Sequence, residues 1–481
     1  MVTIVVLIIL ATVSINVVLG ENGLIKKAQQ TQELHEQGTQ KEQNDLDKYA
    51  EYLDKELNNG NYQDKYLDST LPVSPRLEEG MTKVKYNSTS GKWEKVTDDT
   101  TAWYNYANKE WANVVLGDAT FNADGTLDES KPYSQLVWIP RFAYQITSQY
   151  HTASDSAGNV NVVFIDENNQ NKEKTKTYST TYPSATVGTT TGMSDYVVHP
   201  AFDYDGKHLS GFWMGKFESS HTGCTTDKAT GQATFTGNEV MTIKANVTSW
   251  RKITIGDAFT TCLNMNRGGN PYGFRSSDNA VDPHMVKNDE WGAVAYLSKS
   301  IYGKNTEEVW NNSNNSLITG MGGSSVNANN ESDTNEYNTT NGMKASTTGN
   351  IYGVYDMSGG IWERVAAYVN NGHRNLTTNG SSLVNAASKY KNVYTATATD
   401  GTDTQEGNYE LSTPANGCYG DAIYETSGWY NDYSTFPRDA GTFFSRGGGY
   451  DKSSGSGVFS FTYTDGGPYS GDGFRVVVPV L

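Results

Sequence analysis

Cysteine is scarce in this chain. Three residues in 481, Cys224, Cys262 and Cys418, are too few and too scattered for a disulfide scaffold. At most one bridge can form, and no C-x-x-C pair points to zinc. Histidine is nearly as rare: His35, His151, His199, His208, His221, His284 and His373 are the full set of seven. No two stand at i, i+4, so no helix face offers a paired imidazole site for a transition metal. Basic charge is outweighed, with 37 Lys and Arg against 54 Asp and Glu for a net charge of −17. A nucleic-acid backbone needs the opposite balance, and no nucleic-acid partner is expected. The G-x-S-x-G nucleophile elbow does not occur. Gly447-Gly448-Gly449 is not a phosphate loop, because no Lys-Ser/Thr and no helix start follow it. No EF-hand spacing is present either, although the acidic balance permits a structural calcium ion. No catalytic residues, no metal ligands and no cofactor are therefore expected.

What the chain does hold is aromatic: 31 Tyr, 15 Phe and 10 Trp, a content that a disordered polymer lacks. Its length allows two or three domains at roughly 150 residues each. Residues 1–19, MVTIVVLIILATVSINVVL, carry no charged side chain and as a helix would measure about 28 Å, close to the hydrocarbon thickness of a bilayer. Gly20 and Gly23 punctuate it. Leu46, Tyr49, Ala50, Leu53 and Leu57 then form one apolar stripe on a charged helix. An apolar half, a glycine break and an amphipathic half resemble the N-terminal helix of type IV pilins, over residues 1–58. VTIVVLIILATVSINVVLGENGLIKKAQ is similar to prepilin-type segments of Gram-positive bacteria. The family's Gly-containing peptidase site and the acidic residue after it are not seen at the start of this sequence. The resemblance implies attachment to a membrane or a pilus filament through residues 1–58.

A linker with Pro72 and Pro75 follows, and then a repeat, Y-N-x5-W-x2-V, at Tyr86–Val96 and again at Tyr104–Val114. Each copy is expected to be a small hairpin burying its Trp, together a spacer module within 59–130. Leu136–Ile146 and Phe212–Glu218 read as strands, and Ile255–Met265 and Asp289–Ser298 carry helical periodicity. Residues 305–350 hold twelve Asn with scattered apolar anchors, the composition of a long surface excursion. The C-terminal end, GTFFSRGGGYDKSSGSGVFSFTYTDGGPYSGDGFRVVVPVL, sets a Gly/Ser/Thr/Asp/Tyr stretch between two apolar segments. Val458-Phe459 and the run after Phe474 read as core strands. Tyr supplies rigid contact area and the small polar residues adapt, as on binding surfaces.

Four blocks carry a second resemblance: Gly211–Glu218 (GFWMGKFE), Glu290–Ala295 (EWGAVA), Gly353–Glu363 (GVYDMSGGIWE) and Arg446–Arg475. In this order they resemble the formylglycine-generating-enzyme type of C-type lectin fold. Here Trp291 and Trp362 would fill core, and Glu363 and Arg475 are candidates for a buried ion pair. The superfamily's oxidases carry cysteines in the C-terminal strands, and its iron enzymes an H-x3-H-x-E cluster; this chain has neither. More narrowly, EWGAVAYLSKSIYG, GDAIYETSGWYNDYSTFP and the closing RGG…GVFSF…GFRVV are similar to the variable proteins that retroelements diversify by altering adenines. Together with the N-terminal resemblance, that likeness implies an α+β chain with a C-type-lectin head over 131–481, a variable region at 446–475 and a pilin-like helix before it. It implies a surface-displayed, receptor- or adhesin-like protein of a Gram-positive bacterium or its prophage, binding a protein or glycan. The ligand-binding residues would be Gly449, Tyr450, Asp451, Thr462, Tyr463, Asp465, Tyr469, Ser470 and Asp472. Trp429, Tyr430, Tyr433 and Phe436 would assist from the adjoining loop. The variable positions should share one exposed face while Val458, Phe459, Phe474 and Val476 are buried. The alternatives are an enzyme of the formylglycine-generating superfamily and an inert minor pilin.

Overall fold

In the computed structural model, residues 73–97, 102–224, 236–275, 280–395 and 419–481 are described. The pilin-like segment expected over 1–58 lies outside them, as does Cys418. Among the described residues no helix is long and apolar enough to cross a membrane.

Alternating TKVKYN forms β1 (Thr82–Asn87), which pairs with β2 (Lys92–Lys95) and sets Tyr86 opposite Trp93. β3 (Asn113–Val115) lies on the other side of β1 and pairs with the fully buried β4 (Gln135–Pro140). The sequence reads Leu136–Ile146 as one strand, but Arg141 breaks it. Its buried guanidinium turns to the Phe202 carbonyl at 2.8 Å and to Asp203 at 2.9 Å. β5 (Phe142–Ile146) therefore leaves for a small sheet with β6 (Val160–Phe164) and β7 (Val197–Val198). β8 (Asp203–Tyr204) and β9 (Lys207–His208) form a hairpin, and β10 (Gly211–Gly215) returns to pair with β4.

Helix α1 (Ile255–Leu263) starts where Thr254 Oγ1 accepts the Asp257 N–H at 3.1 Å. After β11 (His284–Met285) comes α2 (Asn288–Lys299), buried on every side. Its first turn is fixed by Glu290, which accepts the Lys287 N–H and a His284 ring nitrogen, both at 2.9 Å. β12 (Trp362–Asn370) is followed by two short helices, α3 (Asn375–Thr378) and α4 (Ser381–Val384), and by β13 (Asn392–Thr395). β14 (Phe443–Arg446), β15 (Phe461–Thr464), β16 (Asp472–Phe474) and β17 (Val476–Pro479) close the chain.

Two large sheets result. One runs β11-β17-β10-β4-β3-β1-β2, the other β13-β12-β14-β15 with β16 beside β12. Arg475, between β16 and β17, carries the chain from one sheet to the other. The described residues are thus mostly β with few helices, a more β-rich balance than the α+β expectation. The described residues all fall within one compact unit, Gln63–Leu481. The boundary expected at 130/131 falls inside the seven-stranded sheet, because the repeat strands β1–β3 extend β4 edgewise. Only the first repeat is a hairpin; the second is a turn bridged between Asn105 and Glu110. Both Trp93 and Trp111 are nonetheless fully buried.

Residues 305–350 depart from the expected surface excursion. Asn311, Asn312, Ser313 and Asn314 are buried, and the amides of Asn311 and Asn312 take up backbone carbonyls that have no strand partner. Asn311 Nδ2 donates to the Ala328 carbonyl at 2.7 Å, and Asn312 Nδ2 to the Ile318 carbonyl at 2.9 Å and to Asp356 at 2.8 Å. Val458 and Phe459 are buried as expected, but in a turn rather than a strand.

Candidate ligand-binding site

The four sequence blocks meet in space. Arg475 Nε donates to Glu363 Oε2 at 2.9 Å, and the guanidinium also reaches the carbonyls of Gly215 at 2.7 Å and Tyr355 at 2.9 Å. The ion pair that sequence left open is therefore made, fully buried. Arg446 lies over the Trp291 ring at 5.5 Å, and Trp291 donates to the Val458 carbonyl at 2.8 Å. Gly447 leaves β14 with φ +83, and a Cβ there would lie 3.3 Å from Trp291. Glycine suits both the left-handed turn and the close approach.

This frame fixes two loops, 447–455 and 465–471. In the first, the Tyr450 N–H donates to the Gly360 carbonyl at 2.9 Å and its carbonyl accepts from Asn330 at 3.0 Å. Ser453 Oγ reaches the Asn327 carbonyl at 3.0 Å, so the Asn-rich segment supports this loop from the side. In the second, the carbonyls of Gly466 and Tyr469 accept from Ile255 at 3.0 Å and Lys252 at 2.9 Å. Arg364 binds the Gly467 carbonyl and, at 2.8 Å, the Asp472 carboxylate.

A cleft of about 230 Å³ opens between the loops, lined by Tyr450, Asp451 and Lys452 on one side and Ser470 and Gly471 on the other. Trp362, Gly360 and Ile361 lie between them at its floor, and Gly449 and Leu317 complete the lining. Trp362 is half-buried, not core as expected, because it is the first residue of β12 and leaves the sheet end uncovered. The half-exposed Tyr433 lies beside it, ring centroids 6.3 Å apart. Asp451 and Lys452 are within 3.3 Å and offset each other's charge at the rim. No cysteine or histidine lines the cleft, and the described residues contain no group of three or more His, Cys, Asp or Glu placed to hold a metal ion.

The expected site residues divide. Tyr450, Asp451 and Ser470 line the cleft, as does Gly449, although Gly449 is itself buried rather than exposed. A Cβ built on Gly449 would lie 3.2 Å from Asp451 and 3.5 Å from Trp362, so any side chain there would enter the cleft. Thr462 and Tyr463 do not share a face. Thr462 pairs with Ser445, which pairs with Arg364, so it lies on the Trp362 side of the sheet, whereas Tyr463 pairs with Phe444 on the other. Tyr463, 39% exposed, packs against Gly441 with Arg438 5.7 Å from its ring.

Tyr469 is 51% exposed, and its hydroxyl donates to Asp465 at 2.9 Å. That bond, ahead of the Asp465 charge itself, raises the phenol above its usual value. Asp472 is mostly turned inward to Arg364. Trp429 is a correction: it is fully buried, donating to the Gln149 carbonyl at 2.7 Å and packing on Phe459 at 5.1 Å. Phe436 is buried as well, and Tyr430 is half-buried with Lys299 5.2 Å from its ring. Phe474 and Val476 are buried as expected.

The fold class defined by the chain's own pairing is a mostly β head with few helices. No family model matches the chain, and no curated protein does. Among solved structures it is similar to the Major Tropism Determinant U1 Variant, at 13% identity and a TM-score of 0.24, over 85% of this chain and 74% of that one.

Proposed function

We propose that this chain is a ligand-binding protein of the receptor or adhesin kind, built on a C-type-lectin-like head of the formylglycine-generating-enzyme type. The observation that carries the reading is the cleft itself. Its walls are two loops of small polar residues and Tyr, its floor is a half-exposed Trp, and a packed frame holds both loops by their backbones. Such a division leaves side chains at the rim free to vary while the frame stays constant, which suits a surface diversified by a retroelement. The convergence of the four sequence blocks on Arg475 and Arg446 supports the lectin-like frame. Binding rather than turnover suits a lining without thiol or imidazole. The ligand is a protein or a glycan, and display at a cell surface through residues 1–58 follows from their pilin-like character.

The test is to probe the full chain and Trp362→Ala in parallel on arrays of bacterial surface proteins and of glycans. A ligand held by the parent and bound at least about tenfold more weakly by the variant, a loss of about 1.4 kcal/mol or more, is expected. A ligand held equally by both would place the site elsewhere. For the diversification reading, a near-copy of the last part of the gene, differing only at adenines and lying beside a reverse-transcriptase gene, is expected in the neighbouring DNA.

A further inference from the structure

A buried group of charges lies beneath the cleft floor. The Ile361 N–H donates to Glu218 Oε1 at 3.0 Å, and Gly360 sits against the same carboxylate, where a Cβ would collide with it. The neighbouring N–H groups go to backbone: Gly359 to Gly447 at 3.0 Å, Gly360 to Asn312 at 2.7 Å and Trp362 to Gly471 at 3.0 Å. With Tyr450 bound to the Gly360 carbonyl, both cleft loops and the Asn-rich segment are tied to residues 359–362. Of those four N–H groups, that of Ile361 alone is held by a side chain.

Glu218 does not stand alone. Asp356 accepts from Asn312 and from the Gly320 N–H, both at 2.8 Å, and its other oxygen accepts from the Glu218 N–H at 3.4 Å. Glu363 is paired with Arg475. Three carboxylates therefore face one guanidinium, and all four side chains are buried. The nearby cations are occupied elsewhere. Lys216 donates to the Ile351 and Gly353 carbonyls at 2.7 and 2.8 Å, and Arg364, on the opposite face of β12 from Glu363, holds Asp472. Arg251 reaches the Ser470 carbonyl at 3.5 Å, and Ser249, which is neutral, donates to Glu218. Three full negative charges against one positive charge is a poor arrangement away from water, so protons must be retained in the group.

Resting on the reading of the cleft as a binding site, we infer that Glu218, acting with Asp356, Glu363 and Arg475, is a positioning residue for that cleft. The protonation of this group governs how firmly Gly360–Trp362 is held in its cleft-forming position. Burial first, then Asp356 and Glu363, keep the Glu218 carboxyl well above the usual range, and burial lifts Glu363 to about 7. A carboxyl raised in the folded state favours folding fully below its ordinary value, and the benefit is lost as pH rises through its folded value. The floor should therefore be firmest in acid and loosen progressively as pH rises through neutrality.

The test needs no ligand. Amide hydrogen exchange at Ile361 and Trp362 is followed in the full chain between about pH 5.5 and 8.5 and corrected for intrinsic exchange. Protection is expected to fall by about tenfold or more per unit of pH across neutrality. Glu218→Gln keeps an oxygen acceptor but cannot ionise, and should make the fall in protection clearly shallower, with Glu363 still titrating. Asp356→Asn, which removes a different charge, should flatten the profile likewise if the first variant folds poorly. Flat protection in the parent chain, or an unchanged slope in the variants, would overturn the inference. If exchange responds as expected but no array ligand is found, the pH-linked hold on Gly360–Trp362 stands and only its service to binding fails.

Discussion

Trp362 and Trp429 put the same side chain to opposite uses. Trp362, half-buried at a strand start, can be shortened at small cost to the fold; Trp429, fully buried with its ring nitrogen bonded, cannot. Trp429→Ala should cost about 3–5 kcal/mol and lower the midpoint of thermal or denaturant unfolding markedly. Tyr463→Ala and Tyr469→Ala, at exposed positions, should stay within about 0.5 kcal/mol. Because Tyr463 lies across the sheet from the cleft, its loss should leave ligand capture nearly intact, while Trp362→Ala should weaken it at least about tenfold. Glu425 offers a separate test. Its buried carboxyl accepts from Tyr296 at 2.8 Å and from the Gly420 N–H at 2.7 Å, yet burial still raises it to about 8. Its contribution is full below the ordinary carboxylate value and lost as pH rises through about 8. Stability should decline over that window, and Glu425→Gln should make the decline shallower in denaturant titrations.

At the scale of elements, short-range patterns were the legible part. Helical spacing located α1 and α2, and apolar runs located β4 and β10. The four sequence blocks were legible because each keeps a residue for the shared junction: Glu218, Trp291, Glu363, and Arg446 with Arg475. Trp362 was not legible, since a strand-start Trp looks the same in sequence whether the strand end is covered or open. Trp429 and Phe436 depart from expectation for the converse reason: an aromatic-rich loop can fold inward when its backbone and the Trp429 ring nitrogen find partners. The Asn-rich segment hid its role because buried amides that bond to carbonyls have the composition of a loop. Asn312→Ala should therefore behave as a buried change, leaving the Ile318 carbonyl and Asp356 short of a donor at a cost of about 1–3 kcal/mol. A surface loop residue would show almost none of this loss in a denaturant titration.

Over the whole molecule, the seven-stranded sheet makes residues 73–130 part of the head rather than a stalk beneath it. A chain starting at residue 131 would strip β1–β3 from β4 and uncover Trp213, which packs on Trp103 at 6.2 Å. That shortened chain should aggregate or fail to unfold cooperatively, whereas one starting at Gln63 should melt in a single transition; a detached stalk would leave both equally stable. The candidate cleft lies between loops that follow β14 and β15 of the second sheet, far along the chain from residues 1–58. The most direct test of the cleft as the recognition surface is a hydrogen-exchange footprint of the full chain with and without a ligand found on the arrays. Protection should concentrate in residues 359–362, 447–455 and 467–472, with little change in β1–β3. Protection lying elsewhere, with those three segments unchanged, would contradict it.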